Sequence, residues 1–370
     1  MDPLSQATLG AAAAQSLIKK SDLARIALIG ALAGMAPDLD VLIQSSTDPL
    51  LQLEYHRQFT HSLIFIPVGA LLCAIAFWPF MRRHMSFKAI WLTALAGYAT
   101  HALLDACTTY GTLLLWPFSD ARIAWNTISV IDPVFTLPLL GFVIAAGVKK
   151  SQFIGRLGMA WVALYLSIGV IQEERAIAAG EALAADRGHA PAVVSAKPSF
   201  GNLLLWKTVY EYDDHFWVDA VRAGGDVTII EGDHVARLNL QSSFPWLDTD
   251  SQQARDVERF RWFSNDYLAI DSDDPFFIVD MRYSHLPNEI KGLWGIRLDP
   301  DASADEHVTW IARRSADSER FEQLWAMLKR NYFHSHSVAT WFVYCLISLI
   351  YAASVVRVQQ VCNSPTTLHV

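Results

Sequence analysis

The chain has 370 residues, of which 52% are hydrophobic and only 18% charged, with a net charge of −8. This balance excludes an ordinary soluble globular protein and, lacking a basic footprint, a nucleic-acid binder. The four cysteines, Cys73, Cys107, Cys345 and Cys362, form no CxxC pair, so neither a disulfide framework nor a cysteine zinc site is expected.

A membrane-spanning helix needs roughly 17–25 mostly apolar residues. The opening MDPLSQATLGAAAAQSLIKK does not read as a signal peptide, because its basic residues follow the apolar part instead of preceding it. Leu4–Ile18 is a short, Ala-rich candidate span, and Ile26–Ile43 is one interrupted at Pro37-Asp38. Stronger candidates are Leu63–Phe80, Ala89–Cys107, Val130–Val148, Phe153–Gln172 and Val338–Val356. Lys19, Lys20 and Arg25, then Arg82, Arg83 and Lys88, then Lys149, Lys150 and Arg156, and finally Arg357 lie at alternate ends of these segments. Placing all of them in the cytoplasm gives a topology without conflict.

Between Glu173 and Arg330, 28 acidic residues face 17 basic ones. Within this block NLLLWKTVYEY, HFWVDAVRA, DVTII, FFIVDMRY, GLWGIRL and HVTWIARR are short and aromatic-rich, and several alternate apolar with polar. That pattern predicts a small, mainly antiparallel sheet, followed by a helix around Ser318–Asn331. The expected fold is therefore mainly α: a polytopic membrane bundle of five to seven helices, with an inserted mainly-β (α+β) soluble domain before the last span. Residues 1–172 form the helical membrane domain, 173–335 the acidic domain, and 336–370 a final span and tail. The topology makes this a multi-pass protein of a bacterial inner membrane with its soluble domain in the periplasm.

Four segments carry ionisable residues to the same leaflet. Asp38 and Asp40 sit in APDLD at the outer end of the second segment, and His56, Arg57 and His61 in HRQFTHS at the start of the third. His101 and Asp105 end the fourth, and Asp132 opens the fifth. Ionisable groups at membrane depth cost on the order of 2.5–3.5 kcal/mol each at a helix centre, so they persist where they pair, line a wet cavity or bind a metal. Carboxylates beside neutral imidazoles are rich in acceptors and poor in donors, a conflict that a divalent cation such as zinc resolves. The expected ligands are Asp38, Asp40, His56, His61, His101 and Asp105. His101 and Asp105, four apart, share a helix face. His56 and His61, five apart, do not, which places His56 on the loop and His61 in the first helical turn, with Thr60 as the cap.

Singly, each of these is an ordinary interfacial or capping residue. Asp132 before Pro133 suits a helix cap as well as a group that orients a ligand. Arg57 suits headgroup snorkelling as well as phosphate or oxyanion binding. His334 and His336 read as an interfacial pair, and His215 and His234 as surface residues.

The ordered motifs GMAPDLD, YHRQFTHS, THALLDACTTYGTLLLWPFSD and SVIDPVFTLP resemble the YdjM-type inner-membrane family of metal-dependent hydrolases, over roughly residues 1–148. The resemblance implies a helical site distantly similar to zinc-dependent phospholipase C. Some members carry a histidine where this chain has Gln6, which implies that Gln6 orients a ligand or a water. The expected function is hydrolysis of an ester or phosphoester of a lipid-like substrate by a metal-activated water. In that reading Arg57 stabilises developing charge, and Asp38 or Asp40 acts as ligand or base. Two alternatives are a non-catalytic, metal-stabilised envelope assembly protein and an ion- or proton-coupled transporter. The second is disfavoured by the apolar inner halves of the spans, such as LLCAIAFWPF.

Overall fold

The structure, a computed structural model, describes residues 1–18, 22–313 and 318–329. His334, His336 and the span expected at Val338–Val356 lie outside the described residues, as do Lys19 and Lys20.

The first half is helical. α1 (Pro3–Leu17) starts at Asp2, whose side chain caps the amides of Leu4 and Ser5, with Pro3 in the first turn where its missing N–H is harmless. α2 (Leu23–Met35) stops before Pro37 and continues as a 3-10 turn, Ala36–Leu42, so the interruption read from the sequence is real. α3 (Leu51–Tyr55) leads to a second 3-10 turn, Phe59–His61, and then to α4 (Ile66–Met81). α5 (Phe87–Ala106), α6 (Pro133–Lys149) and the 35-residue α7 (Gln152–Asp186) follow.

Among the described residues only Leu63–Met81 and Gln152–Asp186 are long and apolar enough to cross a membrane, fewer than the five to seven expected. Just 22% and 28% of their apolar windows are buried, so their side chains face outward, as lipid-facing helices do and core helices of soluble proteins do not. α6 is apolar but shorter. α5 has the length, but Thr93, Tyr98, Thr100, His101 and Asp105 reduce its apolar character.

α1, α2 and α5 cross almost backbone to backbone. A Cβ on Gly30 would strike the Gly10 carbonyl, one on Gly97 would strike the Gly30 carbonyl, and one on Gly34 would stand 2.8 Å from the carbonyl of Gln6. Small residues four apart, as Gly30 and Gly34 are, let helices approach this closely.

The second half makes the described chain mixed α and β rather than mainly α. β1 (Val194–Pro198), β2 (Leu205–Tyr212), β3 (His215–Ala223) and β4 (Val227–Ala236) form an antiparallel sheet in chain order. Its β2–β3 hairpin turns at Asp213-Asp214, both left-handed at φ 52° and 55°. After α8 (Leu240–Ser243) and α9 (Gln252–Ser264), strands β5 (Leu268–Ile270), β6 (Phe277–Asp280), β7 (Trp294–Arg297) and β8 (Thr309–Ala312) form a second antiparallel sheet, followed by α10 (Ser318–Lys329). Two sheets thus replace the one expected. They pack through Val209, Phe216 and Val218 against Ala269, Phe277 and Val279.

Two contacts seat this region on the helices. The upper part of α7 docks on the first sheet, where Gln172 donates to the Leu203 carbonyl at 3.1 Å and Arg187 chelates Asp219 at 2.7 and 2.8 Å. On the other side α9 buries Val257, Phe260 and Phe263 with Leu50, Leu53 and Tyr110, and Arg259 pairs with Asp48 at 2.8 Å and Glu54 at 2.5 Å.

Lys197 and Lys207 stand opposite each other on β1 and β2, and both are buried. Burial, then the Lys197 charge, pushes Lys207 down to about 7. Below that pH both folded and unfolded chains carry the proton. Between about 7 and the ordinary 10.5 the unfolded chain binds more protons, so stability rises with pH. Lys207→Met is expected to flatten this rise, read as Tm against pH from 7 to 10 in detergent. Gly97→Ala is expected to cost about 1–3 kcal/mol by overpacking α2 against α5, read by the same melting measurement.

Candidate metal centre

The break in α2 turns Asp38 and Asp40 toward the loop that carries His56, Arg57 and His61, and the last turn of α5 brings His101 and Asp105 beneath them. His101 Nε2 lies 2.9 Å from His61 Nε2, 3.2 Å from Asp38 Oδ1 and 3.5 Å from Asp105 Oδ2. His61 Nε2 lies 3.5 Å from Asp38 Oδ1 and 3.3 Å from Asp105 Oδ2. One atom from each of these four residues falls within 4.8 Å of the others, and Asp38, Asp40 and His56 form a second such group that shares Asp38. The side chains of His61, His101, Asp40 and Asp105 are fully buried, whereas that of Asp38 is 24% exposed.

The arrangement fits a divalent cation on its own chemistry. The His101 Nδ1 meets the Gly34 carbonyl, so it carries the proton and leaves Nε2 as a lone pair facing the group. Asp105 Oδ2 is buried and faces Arg57 Nε at 3.1 Å as well as the two imidazoles. Two imidazole nitrogens and two carboxylate oxygens therefore converge, which is an ordinary donor set for zinc and its neighbours.

Asp40 organises the loop. Its Oδ2 accepts from the Arg57 amide at 3.0 Å and from Thr60 Oγ1 at 2.8 Å, and lies 3.2 Å from His61 Nδ1; its Oδ1 lies 2.7 Å from His56 Nδ1. Thr60 thus tethers the loop to Asp40 and does not cap a helix, contrary to the expectation from sequence. Arg57 has φ 66°, a left-handed conformation unusual for a side chain larger than glycine or asparagine, and the bond from its amide to Asp40 holds it there. Its guanidinium lies 3.1 Å from Asp105 Oδ2 and donates to Thr108 Oγ1 at 3.0 Å.

Gln6 reaches the centre from α1 and donates to Asp105 Oδ1 at 2.9 Å, and the Met1 amino group meets the same oxygen. Asp132 is placed differently. It caps α6 through the amides of Val134 and Phe135 and accepts from Tyr165 at 2.8 Å, so its hydrogen bonds go to α6 and α7 and not to the histidines. His215 and His234 lie together at the β3–β4 edge, away from this centre. Tyr110 escaped the sequence reading: its ring packs edge-on against His56 at 5.7 Å, and Arg57 stands over it at 4.5 Å. It lies in the THALLDACTTYG motif but carries no charge, so nothing in the sequence sets it apart from a ring that meets lipid.

Residues 1–176 match the YdjM inner membrane protein family. The match contains every residue of the His/Asp centre, Arg57 and Gln6, while both sheets lie beyond it. The chain is 37% identical over 114 residues to the inner membrane protein YbcI of Escherichia coli (strain K12), covering 29% of this chain and 62% of YbcI. A second relative, the uncharacterized protein YfhP of Bacillus subtilis (strain 168), is 27% identical over 145 residues, covering 39% of this chain and 42% of YfhP. The chain therefore spans less than two thirds of either relative. No solved structure matches it. The likeness to zinc-dependent phospholipase C expected from the motifs is carried by none of these matches.

Metal and proton compete at His61. Burial alone would strip its proton, but hydrogen bonds to Asp105, Asp38 and Asp40 overcome burial and push its pKa up to about 10. At neutral pH metal entry must displace that proton, so zinc uptake is expected to release protons and to strengthen as pH rises. Calorimetry in buffers of differing ionisation enthalpy reads the proton count.

Proposed function

We propose that the protein is a membrane-bound, metal-dependent hydrolase acting on an ester or phosphoester of a lipid-like or envelope substrate. The observation that carries this reading is the meeting of His61, His101, Asp38 and Asp105 within one ligand-sized space, buried except on the Asp38 side. Asp38, His61, His101 and Asp105 would hold the cation, most plainly zinc, with Asp40 and His56 forming a second position that shares Asp38. A divalent cation bound there supplies Lewis acidity and lowers the pKa of a water toward about 7.

The chain's own residues do the rest. Arg57, held by Asp40 and stacked on Tyr110, offers a guanidinium to developing negative charge. Asp38, the carboxylate with access to solvent, would serve either as a ligand or as the base that takes a proton. Gln6 fixes the Asp105 carboxylate from the side opposite Arg57. In the membrane arrangement we propose, α1–α7 form the embedded bundle, with α1, α2, α5 and α6 completing it beside the two clear spans, and the sheet-bearing region stands in the periplasm.

The test is elemental analysis of the detergent-purified full chain, with His61→Ala and His101→Ala, beside hydrolysis of a chromogenic phosphodiester panel. The expected result is at least one zinc-class ion per chain, lost in both variants, with activity reduced by about 10³-fold or more. Full metal retention in both variants defeats the proposal. Metal whose removal unfolds the protein, with no hydrolysis of the panel, would instead favour the structural, assembly role.

A further inference from the structure

The sheet-bearing region brings a cation of its own, Arg282, toward two arginines at the edge of the metal centre. Arg57 stands over Tyr110, and Arg122 approaches the same ring at 5.4 Å. Arg122 also stands over Trp262 at 5.3 Å and Phe263 at 5.1 Å, both on α9. Arg282, just past β6, stands over Phe263 at 5.1 Å and Tyr283 at 5.6 Å. Tyr110 and Phe263 are themselves 5.1 Å apart. Three guanidiniums from three separate stretches of chain thus gather on one set of rings, each side chain buried.

Their charges are unequally balanced. Arg57 has Asp105, and Arg282 has Asp280 at 2.7 Å. Arg122 donates to two backbone carbonyls, those of Gly111 at 3.2 Å and Leu53 at 3.5 Å. Arg122 Nε, Arg282 Nη1 and the Tyr283 hydroxyl are buried with no hydrogen-bond partner. Leaving donors unmade and a cation without a counter-charge is costly in a fold unless an anion completes them. Burial, with Arg282 and Arg57 nearby, draws even the Arg122 guanidinium down to about 10.

We propose that Arg122, Arg282 and Tyr283, adjoining the metal centre through Arg57 and Tyr110, form a buried subsite for a phosphate-type anion, so that the sheet-bearing region supplies part of the substrate-binding site. That the anion belongs to the substrate rests on the hydrolase reading; that an anion binds does not. Forked guanidiniums and a phenol match the several oxygens of a phosphate group. A groove of about 730 Å³, lined by Tyr55, Trp262 and Arg259 and also by the acids Glu54, Asp120 and Glu258, borders the cluster, with Trp262 shared between the two, and gives room for a substrate's remaining, uncharged part.

The experiment uses the full chain after EDTA treatment, so that no metal holds the probe. Thermal midpoint and tryptophan fluorescence are followed against inorganic phosphate, and in nanodiscs of phosphatidylcholine with and without phosphatidic acid. Saturable stabilisation is expected in the parent and in His101→Ala, weakened about tenfold in Arg122→Gln and about threefold in Tyr283→Phe, with partial recovery in Arg122→Lys. A response to inorganic phosphate identifies a free-phosphate ligand; a response to phosphatidic acid alone identifies a lipid headgroup. No response to either probe in the parent overturns the subsite, as does equal affinity in folded Arg122→Gln and Tyr283→Phe. Metal content of untreated samples separates the two readings. Metal without phosphate binding removes only the subsite, and phosphate binding by a protein that never holds metal removes only the hydrolase.

Discussion

Buried lone pairs that face one another demand a positive charge between them. In this protein the demand is concentrated where two imidazole nitrogens and two carboxylates meet between the α2 break, the loop before α4 and the last turn of α5. Arg57 and the Met1 amino group answer part of it at Asp105, and a proton on His61 answers more. Asp38 Oδ1 and Asp105 Oδ2 still face the two imidazoles. Much of the surrounding architecture reads as a means of holding these groups at distances they would not choose alone.

The means are backbone devices. Glycines at the α1, α2 and α5 crossings remove the side chains that would keep these helices apart, and that closeness puts the Gly34 carbonyl against the His101 ring. The Pro37 break points two carboxylates away from the α2 axis. Asp40 then gathers an amide, a hydroxyl and two imidazoles, converting a loop of irregular structure into a fixed platform. A left-handed Arg57 is the local cost of that platform, and it aims the guanidinium at Asp105.

The legible part of this site was the charged part. An ionisable residue in an apolar segment is expensive enough to need a reason, so Asp38, Asp40, His56, His61, His101 and Asp105 stand out together in the sequence. Asp132 obeyed the same rule for another reason, since a buried cap also rewards a carboxylate. Tyr110 and the crossing glycines stayed hidden because an aromatic or a glycine in such a segment looks the same whether it meets lipid or a neighbouring helix. Arg122 is charged, but it sits in a stretch between spans where charge needs no explanation. Among the described residues hydrophobicity marks α4 and α7 plainly as spans, whereas α5 spends its last turns on the site and reads less clearly. One sheet was expected where two exist, because short alternating strands announce their pleat and not their partners, and the helical face of α9, Val257-Phe260-Phe263, divides the strands into two meanders.

The unbroken α7 gives the assembly its mechanical character. At ~1.5 Å per residue its 35 residues run about 50 Å, well beyond the ~30 Å of a hydrocarbon core. Its upper turns are riveted to the first sheet by Gln172 and Arg187, while α9 is clamped to Asp48 and Glu54 on the opposite flank. The superstructure is therefore a canopy on two posts, with one post continuous with the foundation. A canopy so braced at both flanks has little freedom to lift away from the helices beneath it.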